Sequence, residues 1–318
     1  MRLGLDSYSF QIALTAGTYD LFRALDWMAG LGFSGLQINI NGPQGRFLGA
    51  DPSDTGHLRR VRTRLASLGF FAEVGGGYIT EVALVAQQLQ LAADLGADTL
   101  RTVVGFDDTI TRTIEQARSA LETVLPLAHR LDVRIAVENH EDVTAAELRQ
   151  LLDAIDDPFL GACLDTGNDL VVYGEPLAAA RVLAPRALTT HLKDHTLVRV
   201  AGTVQSVGVP LGTGDIDLPA IIDVIRRESP LDRLLIQDTT GYSAPLNPFR
   251  RADLRPPHGY PGIAAYATPE ALRAAGLLLN LNGLSAEELQ TLAARQEQNL
   301  EQDIAHLRHL LTLPAIAS

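Results

Sequence analysis

The sequence predicts an α/β protein built as a (β/α)₈ TIM barrel with a C-terminal loop and helical extension. Three observations predict it. Short apolar runs alternate with amphipathic stretches along most of the 318 residues, which implies parallel strands with helices outside them. Eight such strand–helix steps are counted when the last helix is placed in the tail, and eight units close a barrel. No glycine-rich phosphate loop follows the first strand, so a doubly wound open sheet is the weaker alternative.

The elements follow in order. Leu3 to Asp6 reads as the first strand, and Thr18 to Leu31 as a helix with Leu21, Leu25 and Met28 on one side. Gly35 to Ile38, Phe70 to Val74 and Thr99 to Val104 are the next strands. Helices are expected over His57 to Leu68, Glu81 to Leu95 and Thr111 to Leu131. The second half repeats the rhythm. Its strands are Arg134 to Glu138, Leu160 to Asp165, Ala187 to Leu192 and Arg233 to Gln237. Its helices are Ala145 to Ile155, Pro176 to Leu183 and Leu218 to Arg227. Gly32, Gly69 and Gly96 each stand just past a helix end and before a strand, where a C-cap glycine belongs.

Residues 1–240 are therefore expected to form the barrel core, and residues 241–318 an extended loop and C-terminal helices packed on it. The stretch Gly241 to Gly262 holds five prolines and two tyrosines without periodicity, the pattern of a long functional loop. Ser285 to Glu288 fits a capping box. The helix behind it carries Leu289, Leu292, Leu300, Ile304, Leu307 and Leu310. It is expected to pack on the barrel wall; a homo-oligomer or a small partner subunit is the alternative use of that face.

Composition narrows the function classes. Hydrophobic residues make up 46% and charged residues 20%, as in a globular protein that buries its own core. The 38 acidic residues outnumber the 26 basic ones, for a net charge of −12, which disfavours a nucleic-acid partner. Cys163 has no second cysteine to pair with and is expected to be a reduced, buried thiol. The N-terminus lacks a signal-peptide pattern, and no apolar run approaches a membrane span. The expectation is a cytoplasmic protein with no membrane partner.

The chemistry-bearing residues sit at strand ends. Glu138 closes RIAVE, Asp165 closes GACLD and His191 closes ALTTH. These ends belong to three successive units and would meet at the C-terminal mouth of a barrel, where active sites lie. Two carboxylates and an imidazole there suit one divalent ion, with Mn²⁺, Mg²⁺, Co²⁺ or Zn²⁺ all compatible. On the last strand, Gln237 takes the inward phase if Leu235 does, and Asp238 points away. Gln237 is thus preferred to Asp238 as the fourth ligand. His140, in phase with Glu138, is a candidate acid or base. Lys193, in phase with His191, is a candidate electrostatic clamp. Tyr8 and Phe10 are expected to alternate with Asp6 toward the mouth as a substrate wall. Arg101, Asn168 and His195 are further candidate substrate contacts, and Glu73 and Gln37 weaker ones.

At VENH around Glu138, LDTGN around Asp165 and HLKDH around His191, and in the opening LGLDSYSF, the chain resembles the xylose isomerase-like barrel superfamily, particularly its sugar-phosphate isomerase/epimerase branch. The resemblance covers roughly residues 1 to 240. It implies that Glu138, Asp165 and His191 bind a Mn²⁺-like ion, with the last-strand residue completing the set. It also implies a keto-sugar or sugar-acid substrate processed through an enediolate. Ketose 3-epimerases of this superfamily use two glutamates to shuttle a proton. Glu138 matches the first, but Gln237 stands where the second is expected. That departure keeps two other readings open beside the isomerase or epimerase. One is a metal-dependent lyase, similar to oxo-sugar-acid decarboxylases or to large subunits of C-glycoside deglycosidases. The other is a sugar-binding barrel without turnover. The endonuclease branch needs more strand-end histidines; Asn168 stands where one belongs, and the whole chain has eight.

Overall fold

The structure is a computed structural model and describes residues 1–41, 47–256, 260, 262–279, 281 and 283–312. Eight parallel strands form the barrel: β1 (Arg2–Asp6), β2 (Gly35–Asn39), β3 (Phe71–Tyr78), β4 (Thr99–Val103), β5 (Arg134–Glu138), β6 (Leu160–Asp165), β7 (Ala187–His191) and, after an inserted hairpin, β10 (Arg233–Ile236). The sheet runs from β10 through β1 to β7 in neighbour order. Closure comes from a parallel bridge between Leu192 and Ile236, with Leu192 N donating to Leu235 O and Gln237 N to Leu192 O.

Strand phase divides the side chains between two environments. Leu5, Leu36, Ile38, Val74, Leu100, Ile135, Val137, Leu164, Leu234 and Ile236 join the cluster between strands and helices. The other phase faces the barrel axis and is strongly polar, with Gln37, Glu73, Arg101, Glu138, Asp165, His191 and Arg233 all buried. Leu235 is buried outside that strand–helix cluster, in line with the inward phase assigned to it and to Gln237. Phe71 plugs the floor, with the Arg2 and Arg233 guanidinium groups 5.0 and 4.7 Å from its ring centre. Gly4 must be glycine here: a Cβ would lie 2.7 Å from the Phe71 ring and from Gly35 O.

The outer layer is α2 (Leu21–Gly30), α3 (Thr55–Leu68), α4 (Val82–Leu95), α5 (Ile110–Leu131), α6 (Ala145–Ile155), α7 (Pro176–Leu183), α8 (Leu218–Glu228) and α10 (Ala286–Thr312). Gly32, Gly69 and Gly96 all take positive φ, as the joints predicted. Asp132 and Asp156 hold the same left-handed position after α5 and α6, without a glycine to signal it. The Ser285–Glu288 capping box forms in both directions. Behind it, α10 buries Leu300, Ile304, Leu307 and Leu310 and closes the ring of helices. Its Gln296 Oε1 accepts from the Ile12 and Ala13 amides at the start of the short α1 (Gln11–Thr15).

Two departures from the sequence expectation reshape the mouth. Residues 7–10 form a 3₁₀ turn after β1 rather than more strand, so the alternation of Asp6, Tyr8 and Phe10 fails. Between β7 and α8 lies an unforeseen hairpin, β8 (Asp194–Val200) and β9 (Thr203–Val209), turning at Ala201 and Gly202 with positive φ at both. It gathers β11 (Ser243–Pro245) on one edge and β12 (Ala264–Tyr266) on the other, followed by the short α9 (Pro269–Ala274). The stretch expected as a plain loop from Gly241 to Gly262 thus contributes a strand; its residues 257–259 and 261 lie outside the described residues. Among the described residues, no helix is long and apolar enough to cross a membrane.

Candidate functional site

The strand ends converge on a cavity of about 300 Å³ at the C-terminal mouth, a size suited to a small metabolite. Of the sequence-predicted residues, Tyr8, Arg101, Glu138, His140, Asn168, Lys193 and Gln237 line it. Asp165 and His191 lie just beneath, fully buried.

The geometry is a dense ionic network. Glu138 Oε2 meets Arg101 Nε at 2.9 Å, and Glu138 Oε1 accepts from Asn168 Nδ2 at 2.9 Å. Asp165 Oδ1 accepts from the amides of Gly167 and Asn168, at 2.8 and 2.9 Å. Asp165 Oδ2 meets Lys193 Nζ at 2.8 Å. The same ammonium donates to Asn168 Oδ1 at 2.9 Å and to Gln237 Oε1 at 3.2 Å. His191 Nδ1 lies 3.3 Å from Glu138 Oε1 and 3.8 Å from Asp165 Oδ2.

Burial alone would raise the Glu138 carboxyl, but Arg101 and then His191 hold it well below the ordinary carboxylate range. Burial pushes the Asp165 carboxyl up against the pull of Lys193. Burial would lower Lys193, yet Asp165 and Glu138 together raise it, so this lysine stays a cation. These values follow from one physical fact: several charges share a low-dielectric site and stabilise one another.

The donor set fits a divalent ion. Glu138 Oε2 and Asp165 Oδ2 are met only by the Arg101 and Lys193 cations, and His191 Nδ1 is buried beside both carboxylates without a hydrogen-bond partner, a set of anionic oxygens and one imidazole nitrogen that suits a cation. Lys193 Nζ already sits among three oxygens within 3.2 Å, a cradle of cation-binding character. Glu138, Cys163 and His191 form a group whose ligand atoms lie within 4.8 Å of one another. Cys163 is the free, buried thiol the sequence predicted, but its place beside the site went unrecognised. Its inward phase, two residues before Asp165, was the available signal. Burial and then Glu138 push its thiol well up, so it is a neutral neighbour and the carboxylates are the natural donors.

Three expectations are corrected. Phe10 is fully buried among Tyr19, Trp27 and Phe47, with ring centres 5.6 to 5.7 Å away; the 3₁₀ turn sends it into the core rather than to the cavity. His195 is buried between Ser206 Oγ at 2.7 Å and Thr239 Oγ1 at 3.0 Å, away from the lining, because β8 turns the chain off the axis after His191. Glu73 lies low in the barrel, paired with Arg233 at 2.9 Å, because β3 runs five residues past it. Asp194 accepts from the amides of Gly212, Gly214 and Ile216. Asp238 is buried but absent from the lining, as its outward phase implied.

Five lining residues were missed: Asn39, Asn41, Glu141, Thr239 and Tyr242. Asn39 and Asn41 continue the phase of Gln37, a usable signal. Tyr242 donates to Glu141 Oε1 at 2.6 Å across 101 residues, which no local pattern announces.

The sequence model described as xylose isomerase-like TIM barrel matches residues 25–242. The chain belongs to that family. Over 172 residues it is 31% identical to 3-oxo-isoapionate decarboxylase of Pectobacterium atrosepticum, covering 53% of this chain and 62% of that protein. The chain spans about three fifths of the length of the curated relatives it matches. Among solved structures, D-psicose 3-epimerase from Clostridium cellulolyticum H10 with D-tagatose superposes with a TM-score of 0.65 at 13% identity, over 98% of this chain and all of the other. The IOLI protein with a bound zinc atom superposes with a TM-score of 0.60 at 13% identity, over 95% of this chain and 98% of that one. At such identities these structures share the fold.

Proposed function

We propose that this chain is a divalent-metal-dependent lyase that decarboxylates an oxo-sugar acid through an enediolate. The observation that carries the reading is Gln237. Its oxygen accepts from Lys193 and its nitrogen donates to Asp6, and an amide cannot take up a proton. Glu141, the other lining carboxylate, accepts from Tyr242 through Oε1. Among the described residues, no lining carboxylate stands on the last strand across from Glu138, where epimerisation by two carboxylates needs a pair.

Decarboxylation needs no second base. The carboxyl group leaves as CO₂, its bonding pair passes into the neighbouring carbonyl as an enediolate, and one proton returns to the carbon. His140, half-buried on the lining, is assigned as the donor of that proton. Lys193 and Arg101 place positive charge where the carboxylate binds and where the enediolate oxygen develops. The relative named as a decarboxylase supports this chemistry. Glu138, Asp165, His191 and Gln237 would hold the ion, with Mn²⁺ the first choice and Mg²⁺, Co²⁺ or Zn²⁺ the alternatives. When bound, such an ion supplies Lewis-acid polarisation of adjacent substrate oxygens. We read residues 1–240 as the catalytic barrel of a cytoplasmic enzyme and 241–318 as its extension.

The second reading is an isomerase or epimerase. It is favoured by Glu138 and His140 lining one cavity, a carboxylate and an imidazole able to exchange a proton at one carbon. Incubation with Mn²⁺ in D₂O, against 3-oxo-sugar acids and ketohexoses in parallel, separates the two. The lyase reading expects CO₂ release and deuterium at one product carbon. An epimer formed without CO₂ overturns it, and a metal content far below about one ion per chain after purification with Mn²⁺ overturns the metal assignment.

A further inference from the structure

The proposed chemistry makes no use of a buried polar column that runs from the mouth to the floor of the barrel. It begins at His191, whose Nε2 lies 2.9 Å from Gln37 Oε1. Gln37 Nε2 donates to Glu73 Oε2 at 2.9 Å. Glu73 Oε1 lies 2.9 Å from Arg233 Nε. Arg233 then forks onto both oxygens of Asp98, at 2.9 and 2.6 Å. His191, Gln37 and Glu73 are fully buried and Arg233 nearly so.

Each link orients the next. A carboxylate only accepts hydrogen bonds. Burial pushes the Glu73 carboxyl up against the pull of the Arg233 guanidinium in contact with it. Gln37 turns its NH₂ toward Glu73 and its carbonyl toward His191. A carbonyl also only accepts, so the proton on the imidazole sits on Nε2. Nδ1 is then the ring nitrogen left to a metal, and it faces Glu138 Oε1 and Asp165 Oδ2. Swapping the two ends of the Gln37 amide would set its oxygen against the Glu73 oxygen to which its NH₂ now donates.

We infer that Gln37 is a positioning residue that holds His191 in the Nε2–H tautomer and presents Nδ1 to a divalent ion, and that Gln37 is itself oriented by the Glu73–Arg233 pair at the barrel floor. The inference rests on the metal reading above and assigns one residue outside the ligand set to it. A hydrogen bond on the far nitrogen fixes ring orientation and raises ligand basicity, and losing such a partner typically lowers metal affinity about 10–100-fold.

The test uses the full chain labelled with ¹⁵N at histidine. With Zn²⁺ added, wild-type His191 is expected to keep a proton on Nε2 and to carry the ion on Nδ1. Gln37→Met is expected to lose that tautomer and to bind Mn²⁺ about 10–100-fold more weakly by calorimetry. Gln37→Glu, which keeps an acceptor opposite Nε2, is expected to retain the tautomer. Zinc carried on Nε2, with the proton on Nδ1, overturns the inference, and that measurement does not depend on any variant folding. So does a Gln37→Met chain that binds Mn²⁺ within about twofold of wild type. A wild type that shows the Nε2–H tautomer but takes up no Mn²⁺ overturns the metal reading and the purpose assigned to Gln37, while the hydrogen-bond relay is upheld.

Discussion

Replacing Lys193 by methionine tests the electrostatics of the site most directly. The change keeps an unbranched stem and removes the ammonium that three buried oxygens share. Asp165 is left with a charge and no counter-ion at 2.8 Å. Removing one partner of a buried pair costs about 3–5 kcal/mol. Asp165 Oδ1 keeps its two backbone donors, which places the expected loss near the lower end, about 3 kcal/mol. The loss depends on pH, and its sign follows from the carboxyl. Burial already pushes Asp165 up and Lys193 opposes that rise, so the variant carboxyl goes up further. A group whose folded pKa is raised contributes stability that is present below the unfolded pKa and is lost as pH rises through the folded one. The deficit against wild type is therefore largest at about pH 8 and narrows toward about pH 5. Urea unfolding followed by circular dichroism across that range measures it. Mn²⁺ at about 100 times its dissociation constant should return about 2.7 kcal/mol to the variant, by putting positive charge back between the same oxygens. A deficit under about 1 kcal/mol, or one that widens as pH falls, refutes the reasoning.

Phe10→Ala should cost about 3–5 kcal/mol in urea unfolding, as a fully buried aromatic does, while KM in the folded fraction stays at the wild-type value; a raised KM would return Phe10 to the substrate wall. His195 is held well below the usual histidine range by burial and then by Lys193. A base depressed in the folded state loses stability as pH falls below its unfolded value, by at most about 1.4 kcal/mol per pH unit. The wild type should show that slope below about pH 6.5, and His195→Gln, which can still bridge Ser206 and Thr239, should lack it; equal pH profiles for the two chains would argue against a neutral buried His195.

Much of the barrel was legible because its determinants are local. An apolar residue at every second position of a strand, and a glycine where the chain must turn left-handed, are patterns a short window contains. The same period of two placed Glu138, Asp165, His191 and Gln237 on the axis without any coordinates. Where the local period changed, the reading failed. Phe10 was assigned by strand alternation, but the 3₁₀ turn over residues 7–10 rotates it into the core. His195 was grouped with His191 as one run, but the β8–β9 hairpin carries it away from the mouth.

The sequence by itself determined the strand order, the phase of each strand and hence which residues reach the barrel axis, because the backbone repeat dictates side-chain direction one element at a time. Only the tertiary structure decided which axial residues face one another. Arg233 meets Glu73 and Tyr242 meets Glu141 across more than a hundred residues, and Gln37 joins His191 across 154. Such partners are chosen by barrel closure, which sets strand tilt and stagger together, and no window of sequence holds that information.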